Sequence, residues 1–228
     1  MLELFKNPNV FFRNKMNEPE DLKKPFYIMV LVWFARLFMV AVTLLMVANI
    51  ISSNSSLVFP DIPSEMILFF LFLTAAVLII TFISILLMWL VTACVFYLFS
   101  AVFHGTGSFK RVLEFISYGF IPFLIGSIIA PIYFWLIYSK IDFIALFENM
   151  EQAGDPTLIM NELLFSNLPA HVLSLIIALI LFALTLYIWI YGIKYSRNLS
   201  FKQAVLTIGI PAIAYIIYEL IMFVFLYF

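Results

Sequence analysis

Charge is scarce in this sequence. Only 11% of its 228 residues are charged, whereas 65% are hydrophobic. A soluble domain carries about 25% charged and about 45–50% apolar residues, so this composition excludes an ordinary water-soluble fold. The apolar residues form unbroken runs and do not alternate with polar ones. This pattern favours membrane-spanning helices over a lipid-facing β-barrel.

Cysteine and catalytic motifs are also missing. Cys94 is the only cysteine, which excludes an internal disulfide and a cysteine-based metal cluster. The sequence contains no Ser-His-Asp set, no H-E-x-x-H helix and no phosphate loop. The two histidines, His104 and His171, are expected on opposite sides of the membrane. We therefore predict a protein that is not an enzyme, with no catalytic residue, metal, cofactor or nucleic-acid partner.

The apolar runs predict an all-α integral membrane protein with five spans. About 20 apolar residues are needed to cross a hydrocarbon core about 30 Å thick. A lead-in of residues 1–25 precedes a transmembrane domain of residues 26–228, whose predicted spans are 26–51, 66–103, 112–138, 168–193 and 203–228. The second run contains no charged residue and would be about 57 Å long as one helix. It could also form two shorter spans.

The distribution of Lys and Arg decides between these counts. With five spans, the N-terminal segment and the loops at 104–111 and 194–203 share one side. Ten cations then lie there: Lys6, Arg13, Lys15, Lys23, Lys24, Lys110, Arg111, Lys194, Arg197 and Lys202. The opposite side keeps only Lys140. The positive-inside rule therefore predicts five spans, a cytoplasmic N-terminus and a C-terminus on the far side. In a prokaryote this membrane would be the cell membrane.

The lead-in is predicted to lie on the membrane surface. Pro8 is expected to precede a short helix in which Phe11 and Phe12 alternate with cations. We expect these rings to enter the headgroup layer while Arg13 and Lys15 face anionic lipid.

Two cytoplasmic loops resemble each other. Ser108-Phe109-Lys110 and Ser200-Phe201-Lys202 each open a return helix, which we expect to be broken early at Gly119-x-x-Pro122 and at Gly209-x-Pro211. Ser200 and Gln203 have the spacing of a capping box. A cation in the first turn opposes the helix dipole, so another interaction should favour it. Lipid phosphate together with insertion polarity is one explanation, and an acidic partner is the other.

Arg36 and Glu219 stand out as an acid and a base inside apolar runs. Each alone would cost at least about 2.5 kcal/mol at the bilayer centre. An intramembrane ion pair that supports packing would remove this cost. A role in transport is the alternative.

These loops and their flanks resemble the Yip family, five-span membrane proteins named for interaction with Ypt/Rab GTPases. The similar stretches are Gly105 to Leu113 with Tyr118 to Pro122, Asn7 to Phe12, and Ile193 to Pro211. The resemblance implies a cytoplasmic N-terminus and an opposite C-terminus. Eukaryotic members carry a longer N-terminal region, so Rab binding does not follow here. The chain is closer to the short prokaryotic members, and no active site comes with the family.

Our first functional hypothesis is a non-enzymatic Yip-like protein that organises membrane or recruits a cytoplasmic protein through a basic face. Anionic lipids are the expected membrane partner, and the sequence leaves the oligomeric state open. The residues predicted for this face are Lys110, Arg111, Lys194, Arg197 and Lys202. The alternative is a small transporter or channel that uses Arg36 and Glu219.

Overall fold

The protein is all-helical in the part that the computed structural model describes, residues 2–52, 64–138 and 168–227. These residues form eight helices and no strand: α1 Leu2–Lys6, α2 Pro8–Lys15, α3 Lys23–Ser52, α4 Ser64–Val102, α5 Phe109–Tyr118, α6 Ile121–Tyr138, α7 Leu168–Ser196 and α8 Phe201–Tyr227. Five segments are long and apolar enough to cross a membrane: Lys23–Leu45, Phe72–Val102, Phe109–Tyr133, Leu168–Ser196 and Phe201–Met222. The prediction of a five-span, all-α membrane protein is confirmed. The side on which each terminus lies stays a prediction, and Lys140 lies outside the described residues.

The long second run forms one helix. Its 39 residues from Ser64 to Val102 continue without a break. At 1.5 Å per residue the helix is about 58 Å long, well beyond the thickness of a hydrocarbon core. One helix here leaves five spans in the described residues, in agreement with the distribution of cations.

The third span is broken, whereas the fifth is continuous. Helices α5 and α6 are separated at Gly119 and Phe120, and Pro122 is the second residue of α6. The break predicted at Gly119-x-x-Pro122 is therefore confirmed. The prediction of a matching break at Gly209-x-Pro211 was wrong, because α8 continues through Pro211. No described atom lies within 4 Å of a Cβ atom built on Gly209, so no neighbour in the described chain packs there to hold a break open.

A tryptophan from α7 fills the break in the third span. The Trp189 Nε1 donates to the Ile116 carbonyl at 2.8 Å, and its ring lies 5.6 Å from the Phe120 ring. A Cβ atom on Gly119 would lie 2.0 Å from Trp189 Nε1, so only glycine leaves room for the indole. A second indole, on Trp89, donates to the Leu113 carbonyl at 2.9 Å. Each indole N–H thereby finds an acceptor, without which its burial in an apolar setting would be costly.

The described helices divide into two compact units. Unit 1 comprises Met1–Trp33, Thr81–Phe123 and Phe182–Phe228, and unit 2 comprises Phe34–Ile80 and Leu124–Leu181. Unit 1 contains fully buried aromatic and aliphatic side chains, among them Phe12, Phe115, Phe120 and Ile188. In unit 2, α6 and α7 pack against each other and enclose a mostly apolar cavity of about 120 Å³ near Gly126 and Leu181.

The lead-in packs against the helices of unit 1. Asn7 caps α2 by accepting from the Val10 N–H at 3.2 Å, and Pro8 is the first residue of that helix, as expected. Leu4 and Phe12 are fully buried, and the Phe12 ring lies 4.9 Å from that of Phe115. The expectation that Phe12 enters the headgroup layer was wrong, because a protein pocket takes up its apolar surface.

Replacing Gly119 tests the packing at the break. Gly119→Ala should expel the rigid Trp189 indole and lower the free energy of unfolding by about 1–3 kcal/mol, as overpacking does. Gly209→Ala is the matched control and should be neutral or stabilising, since its Cβ meets open space and alanine favours a helix. Unfolding in mixed detergent micelles, followed by tryptophan fluorescence, measures both. Equal effects of the two substitutions would contradict this account.

Candidate functional site

The most polar region of the described chain lies where the N-terminal segment meets two loops of unit 1. We call this region the loop face. It consists of the N-terminal segment, residues 2–24, and of two loops. The first loop is 103–108 with the start of α5, and the second loop is 197–200 with the adjoining ends of α7 and α8. The Thr106 N–H donates to the Arg197 carbonyl at 2.9 Å, which joins the two loops. Lys194 donates to Asn9 Oδ1 at 3.0 Å, which joins the second loop to the N-terminal segment. The three segments predicted to share one side of the membrane are therefore in contact.

The two loops end their preceding helices in the same way. A residue in the left-handed conformation follows each helix, His104 with φ 57° and Asn198 with φ 53°. The next N–H then donates to the carbonyl five residues earlier, from Gly105 to Ser100 at 3.0 Å and from Leu199 to Lys194 at 2.9 Å. This is the Schellman arrangement, which satisfies carbonyl groups at a helix end.

The two loops also begin their following helices alike. The Ser108 hydroxyl accepts from the Arg111 N–H at 3.1 Å. The Ser200 hydroxyl accepts from the Gln203 N–H at 3.4 Å, and the Gln203 side chain accepts from the Ser200 N–H at 2.9 Å. The predicted capping box is confirmed, and the resemblance of the Ser-Phe-Lys loops extends from sequence to backbone structure.

Arg197 fastens the two loops to each other. Its Nε donates to Ser100 Oγ at 2.8 Å, and its two terminal nitrogens donate to the Gly105 and Gly107 carbonyls. The guanidinium also lies 4.1 Å from the centre of the Tyr97 ring. The side chain is only 4% exposed, so a fixed set of neutral acceptors replaces its water.

A buried carboxylate, Glu114, holds the N-terminal segment to α5. Its Oε2 accepts from Arg111 Nη1 at 2.8 Å, and its Oε1 lies 3.6 Å from Lys15 Nζ. Arg111 donates further to the Glu18 carbonyl at 2.7 Å, and Lys15 is paired with the Glu18 carboxylate. Glu114 is fully buried and Lys15 is 6% exposed, so these charges compensate one another away from water.

Glu114 was not predicted from the sequence. Arg36 and Glu219 were the base and acid predicted within the apolar runs, although Glu114 falls in the predicted third span. The available signal was its position three residues after Arg111, because residues at that spacing meet on one face of a helix.

The Lys15–Glu18 pair changes the proton affinity of both groups. The hydrogen bond from Lys15 holds the pKa of the Glu18 carboxyl below its ordinary value of 4.5. Burial pulls the pKa of Lys15 down, but the hydrogen bond to Glu18 and the nearby carboxylates outweigh it, so the Lys15 pKa is above its ordinary value of 10.5. Both groups are therefore charged around neutral pH, and the pair is intact there.

A cavity of about 410 Å³ opens between the N-terminal segment and the two loops. Met16 lines it from one side, Thr106 and Gly107 line it from the first loop, and the remaining wall comes from Lys194, Tyr195, Ser196, Asn198 and Leu199. No carboxylate is among these side chains.

The five cations predicted for a binding face have different environments. Arg111 and Arg197 are 6% and 4% exposed and are engaged within the protein, whereas Lys194 is half-buried at the cavity. Lys110 and Lys202 are exposed. The structure thus brings the five onto one face, and a binding role for them stays a prediction.

The two charges predicted to pair within the membrane lie in different units. Arg36 is in α3 with an exposed side chain, in unit 2. Glu219 is in α8, in unit 1, and is hydrogen-bonded to Tyr215 one turn earlier. Their ion pair stays a prediction.

The arrangement of spans and loops can be compared with known proteins. The family model of the Yip1 domain matches residues 2–223 of this chain. The chain belongs to the Yip1 family. An uncharacterised protein of the archaeon Methanocaldococcus jannaschii is 30% identical to it over 137 residues, which are 60% of this chain and 89% of that protein. No solved structure matches this chain. The predicted Yip resemblance is confirmed, and the archaeal relative agrees with a short, prokaryotic type of Yip1 protein spanning the membrane several times.

Neutralising Glu114 tests the buried ion network of this Yip1 protein. Glu114→Gln should cost about 3–5 kcal/mol of unfolding free energy, because it leaves Lys15 and Arg111 buried without their shared carboxylate. Glu18→Gln is the matched control; its side chain is 53% exposed, and it should cost about 1 kcal/mol or less. Titration with SDS in mixed micelles gives both values. A cost for Glu114→Gln no larger than that of the control would contradict a structural role for the network.

A double-mutant cycle tests the pairing of Arg36 with Glu219. If the two charges pair, Arg36→Ala and Glu219→Ala should each destabilise the protein, and the double variant should recover about 0.5–3 kcal/mol of the summed cost. Exchanging the charges, with Arg36→Glu and Glu219→Arg together, should also be better tolerated than either change alone. Strictly additive costs would count against the pair.

Proposed function

We propose that this Yip1 protein is non-enzymatic and presents its loop face to an anionic partner, in the first place the headgroups of membrane lipids. Through this contact it would organise the membrane on the side where the loops lie. The observation that carries the proposal is the placement of Lys110 and Lys202. Both are exposed, and each is the second residue of its helix, α5 or α8.

The position of these lysines costs stability within the chain itself. The N-terminal end of a helix carries a partial positive charge, and a cation in the first turn is repelled by about 0.3–1 kcal/mol. Neither Lys110 nor Lys202 forms an ion pair within the described chain that would offset this repulsion. Negative charge supplied from outside would offset it at both equivalent positions.

The carboxylates of the loop face leave its surface positive. Glu114 is buried, and Glu18 and Glu20 lie against cations of the same face, Glu18 beside Lys15 and Glu20 at 3.9 Å from Arg111. The other two carboxylates of the face are Asp21, which accepts from the Lys23 N–H, and the exposed Glu3. Six exposed cations share the same face: Lys6, Arg13, Lys23, Lys24, Lys110 and Lys202. Clustered cations next to a spanning helix attract anionic headgroups, at about 1 kcal/mol for each cation near the surface.

The choice of lipid over an acidic cytoplasmic protein follows from where these cations are attached. Lys23 and Lys24 begin α3, and Lys110 and Lys202 lie in the first turns of two further spanning segments. Cations at the ends of spans lie at the depth of the headgroups. In a prokaryotic cell the membrane concerned would be the cell membrane.

The transporter alternative receives less support. Broken helices in transporters line a path through which a substrate passes. Here the break between α5 and α6 is filled by the Trp189 side chain, which also binds the Ile116 carbonyl.

Charge removal from the loop face tests the proposal. Protein in phosphatidylcholine nanodiscs should capture phosphatidylglycerol-containing vesicles, and added salt should weaken the capture. The double variant Lys110→Gln/Lys202→Gln should lose about 2 kcal/mol of vesicle affinity, since each cation contributes about 1 kcal/mol.

The control changes charge on the same face in the opposite direction. Glu3 is exposed in α1, and Glu3→Gln should strengthen vesicle capture. If neither the Lys110→Gln/Lys202→Gln variant nor the Glu3→Gln variant alters vesicle capture, the proposal is overturned. Undiminished capture of a soluble acidic protein, combined with no capture of vesicles, would favour the recruitment of a cytoplasmic partner instead.

A further inference from the structure

The cavity of the loop face contains a cation whose charge is not balanced within the described chain. Lys194 lines this space of about 410 Å³ and is half-buried. Its Nζ donates to the neutral Asn9 Oδ1 at 3.0 Å and lies 4.9 Å from the centre of the Tyr195 ring. Unlike Lys15 and Arg111, it forms no ion pair with any described carboxylate.

The neighbouring Arg197 adds to this positive charge. Its donors are bound to Ser100 and to the Gly105 and Gly107 carbonyls, all of which are neutral. Two cations three residues apart therefore share a region with no carboxylate partner. In a half-buried site with a lowered dielectric constant, such a charge attracts an anion more strongly than it would in water.

The cavity wall also supplies hydrogen-bonding groups. Thr106, Tyr195, Ser196 and Asn198 line it, and all four carry polar side chains. Thr106 and Asn198 are exposed, so their side chains can reach a group bound in the cavity, whereas the Ser196 hydroxyl is buried away from it.

We infer that this cavity is a binding site for a phosphate group. Phosphate presents several acceptor oxygens to hydroxyl and amide donors, and lysine binds it as a point charge. Met16 and Leu199 give the same cavity apolar wall area, which suits the first carbons of a lipid's acyl chains. The inference rests on the anion-binding function proposed above and narrows it to one discrete site with Lys194 at its centre. Asn9 holds Lys194 in place when the site is empty.

Calorimetric titration of the purified protein in detergent micelles tests the site with defined probes. Phosphatidic acid should bind saturably, whereas diacylglycerol with the same chains should not bind. Lys194→Gln should weaken phosphatidic acid binding at least about tenfold, because a hydrogen bond to a charged group contributes about 1.5–3 kcal/mol. Thr106→Val should weaken it by a few-fold, since it removes the hydroxyl of an exposed residue that lines the cavity.

Lys110→Gln is the matched control, because it removes the same charge from an exposed position that does not line the cavity. It should leave saturable phosphatidic acid binding within about twofold, although it weakens vesicle capture. Glycerol 3-phosphate and inorganic phosphate distinguish the source of the ligand. Saturable binding of these soluble probes supports a site for free phosphate compounds, and binding of phosphatidic acid alone supports a lipid headgroup site.

Two results would overturn the inference and can be told apart. If Lys194→Gln binds phosphatidic acid as the unaltered protein does, while Lys110→Gln/Lys202→Gln still loses vesicle capture, the loop face attracts anions only diffusely and the proposed function stands alone. If no phosphate probe binds and no vesicles are captured, both the site and the proposed function fail.

Discussion

The Arg197 side chain joins loops that lie more than ninety residues apart in the sequence, as shown by its contacts with Ser100 and Gly105. Burying a guanidinium is costly unless its donors find acceptors, and here two backbone carbonyls and one hydroxyl accept from its three nitrogens. Because these carbonyls belong to a loop with two glycines, the loop can close around the side chain. Gly107 has a φ of 124°, and a Cβ atom there would lie 2.2 Å from the Ser196 carbonyl oxygen. The positions of Lys110, of Lys202 and of the cavity all follow from this junction.

The N-terminal segment is a second layer built on that junction. It is held by an apolar contact, Phe12 against Phe115, and by a polar one, Lys15 with Glu114. These contacts act together, because the apolar packing keeps water away from the charges and so strengthens their attraction. The same packing buries the Glu114 carboxylate together with Lys15 and Arg111, and it leaves Lys110 and Lys202 exposed. The surface of this face is therefore positive although the chain as a whole has a net charge of only −1.

Features decided by local chemistry could be predicted from the sequence, and features decided by distant contacts could not. Run lengths gave the five spans, and the Ser200–Gln203 spacing gave the capping box, because both depend on neighbouring residues. Gly119 and Gly209 precede prolines in similar motifs, yet only the first marks a break, since Trp189 packs beside it. The burial of Arg111 and Arg197 could not be predicted from the sequence either. Cations at loops are normally exposed, and these two are buried because hydrogen-bond acceptors from distant parts of the chain surround them. Glu114 had a local sign, its spacing from Arg111, but its partner Lys15 could be found only in the folded chain.

The contact between Lys194 and Asn9 joins residues that are 185 positions apart. During synthesis, residues 2–24 leave the ribosome long before α7 has been made. The surface that Phe12 covers includes Gly192, which also belongs to α7. This segment is therefore made early but reaches its final place only after α7 has been made. Until then its apolar side chains and its lysines are free to meet the translocation machinery or chaperones, so biogenesis passes through a stage with a surface that the finished protein no longer shows.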